Sequence, residues 1–187
     1  MSLATHFEQP ARKFSMVWIV SFVRCLLSGL TIVLIKSGFS SYLIFVALLP
    51  LIHALQSEMK PIRLPLLLMT FQIPVVYTVF QGISDLDSLT RLDTSLLYLV
   101  VLEYGCLGLL AALVRKRVAV VSFLLLLPLV WGAFETLAGS FYLFRNFASP
   151  FLLGYWTVGT PFALVGRLSG VVGVSMFVVA VNVFLYL

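Results

Sequence analysis

Apolar residues fall in long unbroken runs along this chain. Six runs stand out: Phe14–Ile35, Phe39–Gln56, Ile62–Ile83, Ser95–Val114, Val118–Ala138 and Arg167–Leu187. A helix that crosses a bilayer needs about 20 such residues. The pattern predicts an all-α, polytopic membrane helix bundle of about six transmembrane helices. Residues 1–187 are expected to form one transmembrane domain with no soluble domain. Lys36, Lys60 and the run Arg115-Lys116-Arg117 punctuate the spans. Pro65 and Pro74 fall in the third span and are expected to kink it, with neighbouring helices satisfying the freed carbonyls. No repeat or low-complexity tract interrupts the series.

Composition supports the pattern and narrows the function. Of 187 residues, 61% are hydrophobic and 10% charged, and the mean hydropathy is +1.12. Soluble domains are nearer half apolar and a quarter charged. A disordered chain, a nucleic-acid module and an ordinary cytosolic enzyme are excluded. The net charge of +5 is read by side of the membrane, not as a polyanion footprint. With the N-terminus inside, the inner segments carry Arg12, Lys13, Lys60, Arg63, Arg115, Lys116 and Arg117, seven cations in all. The outer segments carry Lys36, Arg91, Arg145 and Arg167, four in all, together with Asp85, Asp87 and Asp93. The positive-inside rule places both ends in the cytoplasm. The first run is 22 residues long, longer than a signal-peptide core, and no A-x-A site follows it. Cys25 and Cys106 lie inside apolar runs and read as small packing groups, not a disulfide or metal pair.

Chemistry concentrates at a few charges. Arg24 and Glu103 each lie near the middle of a span, where an unpaired charge costs about 2.5–3.5 kcal/mol on insertion. An Arg24–Glu103 pair is one remedy, serving either as a helix clamp or as a headgroup or proton site. Glu135 lies near the outer end of the fifth span, one turn after Trp131. Arg145 and Arg167 flank that surface. They either pair with Glu135 or hold a lipid phosphate beside it. The stretch from Gly139 to Phe162 is rich in aromatics, with Pro150, Gly154, Gly159 and Pro161 among them. It reads as an aromatic belt at headgroup level or as the wall of a substrate cleft. Gly166 and Gly170 form a small-xxx-small face suited to packing within the bundle. His53, after Pro50, is expected to hydrogen-bond inside the bundle. No P-loop, GxSxG, HExxH or CxxC is present, and no cofactor or metal is expected.

Residues Pro128 to Leu187 resemble the membrane part of bacterial apolipoprotein N-acyltransferases. The family's Pro-x-x-Trp-x-x-x-Glu reads here Pro128, Trp131 and Glu135. Its loop centre, Pro-Trp-x-x-Gly-Tyr, reads Pro150-Phe151-Leu152-Leu153-Gly154-Tyr155. A Gly-rich helix ending in an Asn-containing apolar run follows, here Gly170 to Gly173 through Asn182. Ser40–Leu55, with Pro50-Leu51, is similar to the family's second helix. Phe151 stands where the family has Trp, Ala148-Ser149 replace its Gly-Phe, and its Arg soon after the helix Glu is absent.

The resemblance implies a multi-pass protein of the bacterial inner membrane, N-terminus cytoplasmic, with phospholipid and lipoprotein substrates. It implies Glu135, Arg145, Pro150, Phe151, Gly154 and Tyr155 as substrate-cleft residues. In the family, a nitrilase-like domain with a Glu-Lys-Cys triad moves an acyl chain from a phospholipid to a lipoprotein's N-terminal diacylglyceryl cysteine. That domain is not in this sequence, so the chain alone is expected to be non-catalytic. The catalytic domain would lie on a separate or missing segment, and a truncated or split protein is the expectation. A different class remains open: an independent non-catalytic membrane subunit or small transporter, with Arg24 and Glu103 lining a polar path.

Overall fold

A computed structural model describes the backbone over residues 8–36, 40–58, 60–81, 93–140 and 152–187, and side chains over 16–35, 40–58, 60–78, 98–140 and 152–187. The helices in these residues are α1 (Glu8–Lys36), α2 (Ile44–Ala47), α3 (Leu49–Ser57), α4 (Leu64–Gln81), α5 (Asp93–Arg115), α6 (Val120–Ser140) and α7 (Gly166–Tyr186). Short 3₁₀ turns occur at Ser41–Leu43, Pro61–Arg63, Leu153–Thr157 and Pro161–Val165. Among the described residues there is no strand. The protein is an all-α helix bundle of the multi-pass membrane type.

Among the described residues, five segments are long and apolar enough to cross a bilayer: Met16–Ile35, Pro61–Thr78, Tyr98–Arg115, Val120–Ser140 and Pro161–Tyr186. The second of the six expected spans differs. Ser41–Ser57 is apolar but shorter, and it breaks at Leu48 into α2 and α3. The cause is Pro50, which lies in the first turn of α3. Proline has no N–H to donate, and its ring clashes with the carbonyl four residues back. The helix therefore restarts with proline where an unpaired N–H is normal. Pro65 likewise falls in the first turn of α4, while Pro74 is carried inside that helix.

A broken helix inside hydrocarbon exposes backbone groups that water cannot satisfy. Two neighbouring helices supply the partners. The Leu48 N–H donates to Asn182 Oδ1 of α7 at 3.0 Å. Asn182 Nδ2 donates to the Ile44 carbonyl at 3.0 Å and to Val178 O at 2.9 Å. One side-chain amide thus fills the gap that a Leu48-to-Ile44 helical bond would close. The Leu51 N–H donates to Ser28 Oγ of α1 at 2.8 Å. Asn182 and Ser28 are both fully buried.

Packing places this broken segment inside the bundle. α1 lies on α3 and α4, α4 on α5, α5 on α6, and α6 on α7, which returns to α2 and α3. The shared core includes Leu51, Leu55, Leu67, Phe71, Leu107, Phe123 and Trp131. Large apolar side chains also point outward, including Ile19, Leu66, Leu109, Leu125 and Leu168. Such a surface matches lipid tails, which are as apolar as the side chains they meet.

The two ends of the bundle differ. At one end the Arg115 guanidinium donates to the carbonyls of Leu55 (2.7 Å), Gln56 (3.2 Å) and Glu58 (3.0 Å). It therefore caps the C-terminus of α3, where orphan carbonyls gather negative potential. Arg63 pairs with Glu58 at 3.9 Å and stacks over Trp18 at 4.8 Å. Lys60, Arg63 and the Arg115–Arg117 turn thus gather at a single end. At the opposite end, Phe45, Phe162 and Phe177 form an aromatic knot with centroids 4.8–6.1 Å apart.

The small-xxx-small reading of α7 needs correction. Gly170 has φ +68° and ψ 177°, a kink inside α7. A side chain there would meet nothing within 4 Å. Gly170 marks a fixed kink in the backbone, since only glycine enters that conformation without cost, and not a packing face.

Candidate functional site

Among the described residues, a buried polar network lies where α6, α7 and the Leu153–Thr157 turn meet. Trp131 and Glu135 are one turn apart on α6. The indole Nε1–H donates to Glu135 Oε1 at 3.0 Å, and the Leu153 backbone N–H donates to the same oxygen at 3.2 Å. Beside it, the Gly154 N–H donates to Ser175 Oγ of α7 at 2.7 Å. The Ser175 hydroxyl in turn donates to Val171 O at 3.3 Å. Glycine is required at 154 because a Cβ would collide with the Val171 carbonyl oxygen. The turn is stitched to two helices through its first two amides.

The carboxylate is only half satisfied. Glu135 is 3% exposed, and its Oε2 makes no hydrogen bond of ordinary geometry among the described residues, although the Ser175 hydroxyl lies close enough to act on the carboxylate. Glu103 of α5 is 6% exposed and has the same kind of unpartnered Oε2. The two carboxylates lie within electrostatic reach of each other. An aromatic wall surrounds them: the Tyr104 ring is 5.9 Å from Trp131, 6.3 Å from Phe134 and 6.0 Å from Phe71. Low dielectric strengthens whatever interaction a ligand makes with such oxygens, and makes leaving them bare costly.

The sequence-derived site residues separate on this frame. Glu135 and Gly154 come together through Leu153 and Ser175. Tyr155 follows them and is exposed at the surface of the turn. Pro150, Phe151 and Arg145 lie outside the described residues. Arg167 is exposed and makes no ion pair with Glu135. The anticipated Arg24–Glu103 ion pair does not form. Glu103 lies within electrostatic reach of Glu135, while Arg24 lies within electrostatic reach of His53 and Tyr186. Of the two cysteines, Cys25 is buried in the core as expected, but Cys106 is exposed on the outer face of α5. Among the described residues no three His, Cys, Asp or Glu side chains gather as metal ligands.

Three residues carry more of the architecture than their sequence context announces. Ser28 and Ser175 were visible only as isolated polar residues in apolar runs, and Asn182 only as the Asn of the family-like last helix. Pro50 was the available signal, since a proline in mid-span demands donors or acceptors from elsewhere. Arg115 reads in sequence as a marker of sidedness, yet its guanidinium is also a helix cap.

No protein-family model, no curated protein and no solved structure matches this chain.

Proposed function

We propose that this chain is the membrane part of an apolipoprotein N-acyltransferase-like protein of the bacterial inner membrane. Its role would be to bind the phospholipid and lipoprotein substrates at the Glu135 end and to hold a catalytic domain there. Acyl transfer itself would belong to that domain. The observation behind the reading is one of convergence. Trp131 and Glu135 from the helix motif, Gly154 from the loop motif and Ser175 from the Gly-rich helix form one hydrogen-bonded unit. Asn182, further along the same helix, braces the Pro50 break in the segment similar to the family's second helix. The end rich in Lys and Arg is then cytoplasmic and the Glu135 end faces the periplasm.

In this role the free Glu135 oxygen is an acceptor for a cationic or hydroxylated headgroup, and the exposed Tyr155 ring lines the approach. Glu135→Gln keeps an oxygen for Trp131 and Leu153 but removes the negative charge. Photocrosslinking of a phosphatidylethanolamine probe to the purified full chain is expected to fall roughly tenfold in this variant, the loss of one charge-assisted contact. Tyr155→Ala is expected to weaken it less. Crosslinking at wild-type yield in both variants would refute the site.

A further inference from the structure

Glu103 takes no part in the hydrogen-bonded unit around Glu135, yet it is an acid carried inside a membrane-spanning helix. Along α5 it stands about 18 Å from Arg115 at the basic end, at helical rise. Along α6, Glu135 stands about 22 Å from Val120, just across the intervening turn. Both acids therefore lie at similar depth within a hydrocarbon layer about 30 Å thick. Tyr104, next to Glu103, has its ring 5.9 Å from Trp131, whose indole bonds Glu135.

The surroundings of the two acids are unequal. Glu135 Oε1 accepts from the Trp131 indole at 3.0 Å and from the Leu153 N–H at 3.2 Å, and the Ser175 hydroxyl lies close by. Donors of this kind stabilise the charged form of a carboxyl group. Among the described residues no donor reaches Glu103 Oε2, and Glu103 is only 6% exposed. An uncompensated carboxylate in apolar surroundings is so costly that the group takes up a proton instead. The charge on Glu135 adds to that cost, because two carboxylates within reach of each other resist ionising together.

No cation relieves the repulsion, since neither acid forms an ion pair among the described residues. The elements packed on α5 and α6 bring few other titratable groups. α4 brings Tyr77, which is exposed, and the Pro61–Arg63 turn brings Arg63, engaged with Glu58 and Trp18. α7 brings Arg167, which is exposed, and Tyr186, bonded to Gln56. α3 brings His53, bonded to Tyr186. Tyr104 is buried against Phe71, Trp131 and Phe134 and brings no positive charge.

We infer that Glu103 and Glu135 form a proton-binding pair inside the bundle, in which Glu103 holds the proton and Glu135 is the carboxylate. Loss of that proton to water breaks the Glu103 O–H bond and leaves its electron pair on the carboxylate. The pair is thus a charge switch, with one negative charge when the proton is on and two when it is off. Intramembrane acids of this kind serve proton relays and ion paths. The assignment holds whether or not the Glu135 end takes lipid substrates.

The test is infrared difference spectroscopy of the purified full chain in phospholipid bilayers, with pH stepped in water and in D₂O. Near neutral pH the wild type is expected to show a carboxylic-acid C=O band that shifts in D₂O and fades as pH rises. Glu103→Gln should remove the band. Glu58→Gln should leave it, because Glu58 accepts from Lys60 N–H and pairs with Arg63. Glu135→Gln removes the neighbouring charge, so the Glu103 band should remain but fade at lower pH. The shift should be about one pH unit, a tenfold loss of proton affinity. That variant decides the matter if Glu103→Gln does not fold. Absence of the band in wild type near neutral pH would overturn the proposal. So would its survival in Glu103→Gln, or an unchanged midpoint in Glu135→Gln.

Discussion

Replacing Asn182 with Ala removes the side chain that holds the broken second segment together. The amide accepts from Leu48 N–H and donates to Ile44 C=O, each at 3.0 Å. Its bond to Val178 O is less critical, because that carbonyl lies one helical turn back on the same helix and keeps a backbone donor. The substitution therefore strands the Ile44 acceptor and leaves the Leu48 N–H with only the Val46 carbonyl two residues back, so both groups lose their main partner. A buried polar group left unpaired costs about 1–3 kcal/mol. Side-chain hydrogen bonds between membrane helices average only ~0.6 kcal/mol, with a maximum near 1.7. For two groups deprived of their main partner at fully buried positions, the expected loss is about 2–3 kcal/mol. Ser28→Ala strands only the Leu51 N–H and should cost about 1 kcal/mol on the same reasoning. Asn182→Asp keeps an acceptor for Leu48 but sets an oxygen against the Ile44 carbonyl, so it should be no better than Ala. Reversible unfolding in bicelles by steric trapping would measure all three, and hydrogen exchange at the Leu48 amide would localise the effect. An Asn182→Ala protein within about 0.5 kcal/mol of wild type would refute the reasoning, since neither loss could then be costly. A Ser28→Ala loss equal to that of Asn182→Ala would refute it as well.

Two further predictions follow from the same hydrogen-bond logic. Gly154→Ala forces the Leu153–Thr157 turn off the Val171 carbonyl and breaks both stitching amides. It should cost about 2–3 kcal/mol, and the Trp156 emission should shift as the turn lifts. Unchanged stability would mean that the turn is not seated on α7. Arg115→Lys keeps the charge but cannot fork across three carbonyls. The end of α3 should then fray at a cost of about 1 kcal/mol, seen as faster exchange at the Glu58 amide, whose acceptor is Ala54 O at 3.1 Å. Wild-type exchange there would show that charge alone suffices.

The long apolar runs by themselves determined that this is an all-α membrane bundle, because hydrocarbon admits only backbones that satisfy their own hydrogen bonds. Five of the six expected spans follow directly from length and hydropathy. The Glu135–Trp131 contact was also legible, since residues four apart share a helix face. The second span was not legible as a broken helix. Its hydropathy reads through Pro50, and whether a proline kinks, breaks or merely starts a helix depends on which neighbours offer partners. Asn182 lies 134 residues from Leu48, a separation at which no periodicity operates. The same limit governed the charges. Sequence places Arg24 and Glu103 at similar depth, but depth is one coordinate. Only the order in which helices pack around the bundle decided that Glu103 comes within reach of Glu135, and Arg24 within reach of His53 and Tyr186. In a bilayer the apolar surface is alike on every face, so the hydrophobic pattern fixes which residues cross and says little about which helices touch. That choice belongs to small residues, buried amides and unpaired charges, whose partners appear only when the chain is folded.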